Sequence, residues 1–328
     1  MVNSKLAGAP IPRVILGTAG LGSVAPDALL PSASRERDLR YLDAMFEAGC
    51  TAFDLAASYQ LGGTERTVGN WILSRRNRDR LFLITKGGHP YPVVQPNRLT
   101  PKALTDDLHA SLRRLRTERV DLYLLHRDDP GCALEPILEL MISFQRRGQI
   151  GSWGVSNWSY ERVRALDTLA RSAGLPNLSL AASSPQFSLV EWTTPPWKGC
   201  VSISGDANRD ARAFYASAQI PVLAWSPLGR GFFASAFPDR ADTGPYATAA
   251  NVARRARAEE LARKYEVTLP QMALAYLFSQ PFPVFAIVAA STAEKMRGNL
   301  AVAALRLPKN EVRWLESGGE PTPSLGRS

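Results

Sequence analysis

Apolar residues in this 328-residue chain gather in eight short runs, at 12–16, 51–53, 81–85, 122–125, 151–155, 178–182, 221–225 and 284–288. Runs of this length, rich in branched and aromatic side chains, predict buried strands. Between them the apolar spacing becomes helical. Leu39, Leu42, Met45 and Phe46 mark one face of a helix over 34–48, stopped by Gly49. Further helices are predicted over 65–73, 134–147 (stopped by Gly148), 159–173 (stopped by Gly174), 250–265, 269–279 and 293–304, with a short one over 309–316. Thr100 and Pro101 form an N-cap and first-turn pair, opening a helix with the stripe Leu104, Leu108, Leu112, Leu115. Strand and helix alternate without a repeat or a linker, which means a parallel sheet. Eight units fit a closed (β/α)8 TIM barrel better than an open sheet. No Gly-x-Gly-x-x-Gly follows the first strand, which counts against a dinucleotide-binding doubly wound fold. The expectation is one domain over 1–328, with the barrel from about 12 to 305 and a short helix and polar tail beyond.

Composition narrows the picture only slightly. The chain is 45% hydrophobic and carries a net charge of +9. Such a charge fits a nucleic-acid or membrane surface, or a basic enzyme with a phosphorylated ligand. The dispersed charges favour the enzyme. The densest clusters, Arg75-Arg76-Asn77-Arg78 and Arg254-Arg255-Ala256-Arg257, fall on or at the ends of helices, where solvated faces are usual. Cys50, Cys132 and Cys200 are scattered, so neither a metal site nor a disulfide framework is expected. With no long apolar run and no signal-like leader in the first twelve residues, no membrane partner is expected, and the cytoplasm is the expected compartment.

The chemistry-bearing residues sit where predicted strands end. Asp54 closes the second strand and Tyr59 follows five residues later. Lys86 closes the third strand and His126 the fourth. In a parallel barrel those ends converge on one face. A free tyrosine titrates near ~10, and a neighbouring ammonium favours its phenolate, so Lys86 is expected to lower the Tyr59 pKa. Asp54 would hold the lysine, and a neutral His126 could bond a carbonyl oxygen. Tyr59 then becomes a proton donor to an oxygen gaining charge. This equips the chain to reduce a carbonyl, provided a cofactor brings the hydride.

The set Asp54, Tyr59, Lys86 and His126 resembles the tetrad of the aldo-keto reductases in order and spacing. The resemblance continues through Gly63-Thr64-Glu65-Arg66-Thr67-Val68-Gly69, Gly154-Val155-Ser156-Asn157, Gln186 and Ser226-Pro227-Leu228-Gly229, covering nearly the whole chain. It implies a barrel reductase using NADPH, with NADH less favoured. It places Gly17, Thr18 and Asp54 next to the nicotinamide, with Ser156, Asn157 and Gln186 on its carboxamide. Trp225 would stack on the ring, where the family more often has Tyr. Ser226, Leu228 and Arg230 belong to the loop around the pyrophosphate. Ser291, Thr292 and Lys295 match the site for the adenosine 2′-phosphate, at a helix N-terminus suited to an anion. Asn299 matches the adenine contact, although Gly298 stands where the family often has an acid. Taken alone, Ser156, Asn157 and Gln186 would read as ordinary turn polarity, Gly17-Thr18 as a plain glycine turn and Trp225 as a core tryptophan.

On the substrate side, the loops 87–100, 127–133 and 187–207 should shape the pocket, with Tyr59, His126, Arg127, Trp192 and Trp197 meeting a small carbonyl compound. Aromatic rings with a few charges suit a sugar-like or polyol-like aldehyde, and a hydrophobic one nearly as well. His89, a loop histidine, is read as incidental. His126 rather than a glutamate fits plain carbonyl reduction, as opposed to the family's steroid double-bond branch. The rival is a cofactor-binding regulatory subunit on the same barrel, like the potassium-channel β-subunits that resemble this family. Homo-oligomerisation is left open.

Overall fold

The structure is a computed structural model describing residues 3–25, 31–91, 98–172, 180–234 and 241–318. It begins with an antiparallel hairpin, β1 (Asn3–Leu6) and β2 (Ala9–Pro12), turned at Ala7-Gly8 with both residues at positive φ. Then follow β3 (Val14–Gly17), α1 (Ser32–Glu47), β4 (Ala52–Asp54), α2 (Gly63–Arg75), β5 (Phe82–Gly87) and α3 (Pro101–Leu115). β6 (Val120–Leu125), α4 (Glu135–Arg146), β7 (Ile150–Ser156), α5 (Tyr160–Ser172), β8 (Ser183–Ser184) and α6 (Arg209–Ala218) continue the alternation. β9 (Val222–Ala224), α7 (Ala249–Lys264), α8 (Leu269–Phe278), β10 (Val284–Val288), α9 (Ala293–Ala301) and α10 (Lys309–Ser317) complete it. Strands β3 to β10 pair in parallel and close on themselves, β10 returning to β3. The (β/α)8 barrel expected from the sequence is the observed fold.

The strands bury two alternating sets of side chains. Ile15, Ala52, Phe82, Ile84, Leu122, Leu124, Ala182, Leu223, Phe285 and Ile287 fill the barrel, with Leu6 and Ile11 of the hairpin packed against them. Val14, Phe53, Leu83, Tyr123, Leu125, Trp153 and Val155 face outward to the helices. Because side chains alternate along a strand, the interior set continues two residues further on. Ala52 is followed by Asp54, Ile84 by Lys86, Leu124 by His126, Ala182 by Ser184 and then Gln186, and Leu223 by Trp225. The same pleat that fills the core therefore aims these residues into the mouth of the barrel.

Several elements differ from the sequence expectation. Pro12 belongs to the hairpin rather than the first barrel strand. The hairpin itself was not foreseen, because Pro10 and Pro12 read as poor strand residues. The sixth barrel strand lies at Ser183–Ser184 instead of 178–182, where 178 and 179 fall outside the described residues. Two buried serines look unlike a core strand, but Ser183 shares a hydrogen bond with Tyr215 (2.7 Å) and Ser184 donates to the Leu223 carbonyl (2.9 Å). The helix α6 was missed because alanine carries much of its apolar stripe. The Gly174 stop also lies outside the described residues. The Thr100 cap is present, its hydroxyl accepting from the Ala103 N–H, and the four leucines of that stripe are buried.

One buried network ties α2, α3 and β5 together behind the site. Glu65 is wholly buried and accepts from Thr85 Oγ1 at 2.5 Å and from Arg114 Nε at 2.7 Å. Thr85 precedes Lys86, so this carboxylate helps fix the end of β5. Gly69 lets α2 approach closely, since a Cβ there would lie 2.1 Å from the Arg114 carbonyl oxygen. Arg114→Met should strand the Glu65 carboxylate and lower unfolding stability by about 3 kcal/mol. Urea denaturation checks this; a loss below about 1 kcal/mol would show that the ion pair contributes little.

Candidate active site

The four tetrad residues meet at the C-terminal mouth of the barrel. Lys86 is 2% exposed, and its Nζ lies 2.7 Å from Asp54 Oδ1 and 2.8 Å from Oδ2. The same ammonium donates to the Leu55 carbonyl at 2.8 Å and to the Tyr59 hydroxyl at 3.0 Å. The Tyr59 hydroxyl donates to Asp54 Oδ2 at 3.4 Å. His126 is buried with its ring edge-on to Tyr59, centroids 5.8 Å apart. Ser58 Oγ lies 3.4 Å from its Nδ1. Thr18 closes the floor, donating to the Asp54 carbonyl at 2.7 Å, and Gly17 pairs with Asp54 across the β3–β4 ladder.

Burial dominates the electrostatics of this cluster. It pulls Lys86 down, but the Asp54 carboxylate and the Tyr59 oxygen hold the ammonium above its usual value. Burial pushes Asp54 up, and Lys86 opposes it. It also pushes Tyr59 up, with Lys86 countering part of the rise and Asp54 adding to it. The expected lowering of the phenol is therefore not the net result. The ammonium offsets a desolvation cost, and Tyr59 keeps its proton at neutral pH. His126 is held well below the usual imidazole value by burial and by the charges of Lys86 and Arg127, so its ring is neutral.

Around the tetrad, His89 departs from the sequence reading as an incidental loop residue. Its ring packs edge-on to His126, centroids 4.8 Å apart, and its Nδ1 lies 2.9 Å from the Pro90 carbonyl. Ser156 Oγ donates to the Ser184 carbonyl (3.1 Å), Asn157 Nδ2 donates to Ser156 Oγ (3.0 Å), and Asn157 Oδ1 accepts from the Val201 N–H (3.3 Å). Gln186 is fully buried; its Nε2 donates to Ser188, and its Oε1 accepts from Ser202 and Ser204. No sequence signal pointed to Ser202 and Ser204, because they reach Gln186 across a loop. Trp225 makes tilted ring contacts with Trp192 (5.6 Å) and Trp197 (6.2 Å), and its Nε1 is buried with no hydrogen-bond partner among the described residues. Arg230 lies over the Trp197 ring at 5.5 Å. Leu228 packs against the outer core, and Ser226 and Arg230 hold positive φ, as does Asn157.

A separate group forms where α9 begins. Thr292 caps the helix by accepting from the Lys295 N–H, and Lys295 Nζ donates to Ser291 Oγ at 3.0 Å. Ser291 and Lys295 are exposed, while Asn299 is buried one turn further along. The three cysteines are free, and among the described residues no helix is long and apolar enough to cross a membrane.

A closed parallel barrel whose mouth joins a phenol, an ammonium, a carboxylate and a neutral imidazole defines a class of barrel oxidoreductase acting on carbonyl groups. The chain matches the aldo/keto reductase family model over residues 13–319 and belongs to that family. It is 26% identical to a norsolorinic acid reductase of Emericella nidulans over 96% of this chain and 80% of that protein. Among solved structures it resembles the thermostable aldo-keto reductase Tm1743, solved with the inhibitor epalrestat, with TM-score 0.72 and 26% identity over 97% of this chain and all of that one. It also resembles a Klebsiella pneumoniae aldo/keto reductase solved with NADP and acetate, with TM-score 0.71 and 25% identity over all of this chain and 98% of that one.

The neutral state of His126 makes a prediction about acid behaviour. Unfolded, the imidazole binds a proton near ~6.5; folded, it does so only at lower pH. The unfolded chain therefore binds more protons, and this residue makes stability fall as pH drops below that value. Nitrogen NMR of the imidazoles should show His126 neutral at pH 6. Protonation there at or above its ordinary value would contradict the assigned environment.

Proposed function

We propose that the chain reduces the carbonyl group of an aldehyde or ketone with NADPH, with Tyr59 as the general acid. The observation that carries this is the Tyr59 hydroxyl, 3.0 Å from a buried ammonium that is itself paired with Asp54, beside a neutral His126. When bound, NADPH supplies the hydride that no side chain can. Tyr59, still protonated at neutral pH, donates to the carbonyl oxygen as charge builds on it. Lys86 stabilises the phenolate left behind, and Asp54 keeps Lys86 charged and placed. In the tautomer with its proton on Nε2, His126 accepts from the Ser58 hydroxyl at Nδ1 and aligns the carbonyl oxygen.

The residues present suit the cofactor. Asn157 Nδ2 and Gln186 Nε2 each carry a second hydrogen with no partner among the described residues, while their oxygens already accept. They can donate to the nicotinamide carboxamide oxygen once the surrounding serines adjust. The orphaned Trp225 Nε1 is a further donor at the place where its ring would stack on the nicotinamide. Ser291, Thr292 and Lys295 present an ammonium and a hydroxyl at a helix N-terminus, which suits the 2′-phosphate of NADPH. Arg230, over Trp197, is our candidate partner for the pyrophosphate, and Asn299 for the adenine. Arg127, Trp192 and Trp197 frame the substrate. A purely regulatory role on this barrel would leave the buried phenol–ammonium contact without a use.

Tyr59→Phe should lower kcat at least ~100-fold while NADPH still quenches tryptophan fluorescence. Near-normal NADPH consumption in that variant would remove Tyr59 from the acid role. Lys295→Ala should reduce the preference for NADPH over NADH about tenfold, the value of one charge-assisted contact. Equal losses with both cofactors would place the 2′-phosphate elsewhere.

A further inference from the structure

Arg127 follows the tetrad histidine and carries a charge that the fold leaves unbalanced. Its Nη1 donates to the His126 carbonyl at 3.3 Å, and its Nη2 reaches only Cys200 Sγ at 4.0 Å. Among the described residues it forms no ion pair. The next two acids in sequence are turned to other work. Arg162 grips the Asp128 carboxylate through Nε and Nη2 and also donates to the Asp129 carbonyl, while the Asp129 carboxylate accepts from the Gly131 N–H.

The guanidinium is nonetheless held in place. Its stem runs along the 197–200 loop, where a Cβ on Gly199 would lie 3.8 Å from Arg127 Cδ. It is half-buried and directly follows His126, with its Nη1 on the His126 carbonyl, and its charge depresses the proton affinity of Tyr59, His89 and His126. With Lys86 balanced by Asp54 and His126 neutral, the Arg127 guanidinium is a positive charge at the edge of the tetrad that no carboxylate meets among the described residues. A partly desolvated guanidinium with unspent donors is costly alone. A planar, two-oxygen anion relieves it through paired hydrogen bonds.

We propose that Arg127 anchors a carboxylate on the substrate, so that the favoured substrates are aldehydes or ketones bearing a carboxylate group away from the reacting carbonyl. This deepens, and rests on, the reductase reading above. The carbonyl end meets Tyr59 and His126, the anionic end meets Arg127, and the rings of His89 and Trp197 flank the span between them. A polyol chain would offer Arg127 only neutral hydroxyls and leave its charge uncompensated.

The test compares 4-formylbenzoate with its uncharged methyl ester. In the native protein with NADPH, the ratio of kcat/KM for acid over ester should exceed that of Arg127→Met at least about tenfold, or ~1.4 kcal/mol. The change should lie mainly in KM, and Arg127→Lys should recover part of it. A ratio unchanged by Arg127→Met overturns the proposal. Binding supplies a second readout that needs no turnover. In the NADP+-saturated protein, benzoate should quench tryptophan fluorescence at lower concentration than benzamide, and Arg127→Met should abolish the difference. Equal binding of the two probes by the native protein sinks the anchor. Tighter benzoate binding through Arg127 with no NADPH consumption on either aldehyde supports the anchor and overturns the reductase reading instead.

Discussion

The rest of the site depends on a buried ion pair between Lys86 and Asp54, set on adjacent barrel strands. Two charges removed from water cost several kcal/mol each unless geometry and further hydrogen bonds repay them. Here the repayment is visible. The ammonium has both carboxylate oxygens, the Leu55 carbonyl and the Tyr59 hydroxyl around it. The Tyr59 contact is thus part of what lets a lysine sit inside the barrel at all. The same desolvation keeps the phenol protonated and the imidazole neutral, the two states that the proposed proton donation and carbonyl alignment require.

The barrel supplies this arrangement through the pleat of its strands. Asp54, Lys86, His126, Ser184, Gln186 and Trp225 are the next interior positions after the apolar plug, so the packing phase of the core and the aim of the site are one constraint. A one-residue slip in any strand would turn its functional side chain toward the helices. The loops that follow carry the irregular backbone. Gln60, Leu61, Asn157, Ser226 and Arg230 all hold positive φ, a concentration of strained residues at the mouth of the barrel.

Charge is distributed with similar economy. The basic clusters are structural clamps more than free cationic faces. Arg75 pairs with Asp43 and Arg78 with Asp121, while Arg254 and Arg257 donate to the carbonyls of Glu316 and Leu315 at the end of α10. Arg254 also pairs with Glu191 in the loop that carries Trp192. Unlike these clamping arginines, Arg127 has no carboxylate partner among the described residues and directly follows His126.

The sequence by itself determined the fold class and the tetrad, because both are written in local signals. Short apolar runs and helical spacing alternate eight times, and an acid, a lysine and a histidine each end an apolar run. The carboxyl ends of parallel barrel strands share one face, so the convergence of Asp54, Lys86 and His126 could be read without coordinates. Only the tertiary structure decided what depends on neighbours distant in sequence. The serines of β8 become core because Tyr215 and the Leu223 carbonyl satisfy them. Gln186 is locked by serines across a loop. His89 meets His126 through a segment with no regular pattern. The net pKa direction of Tyr59 was illegible for the same reason: it is a balance between burial, which a sequence does not state, and a charge whose distance only packing sets.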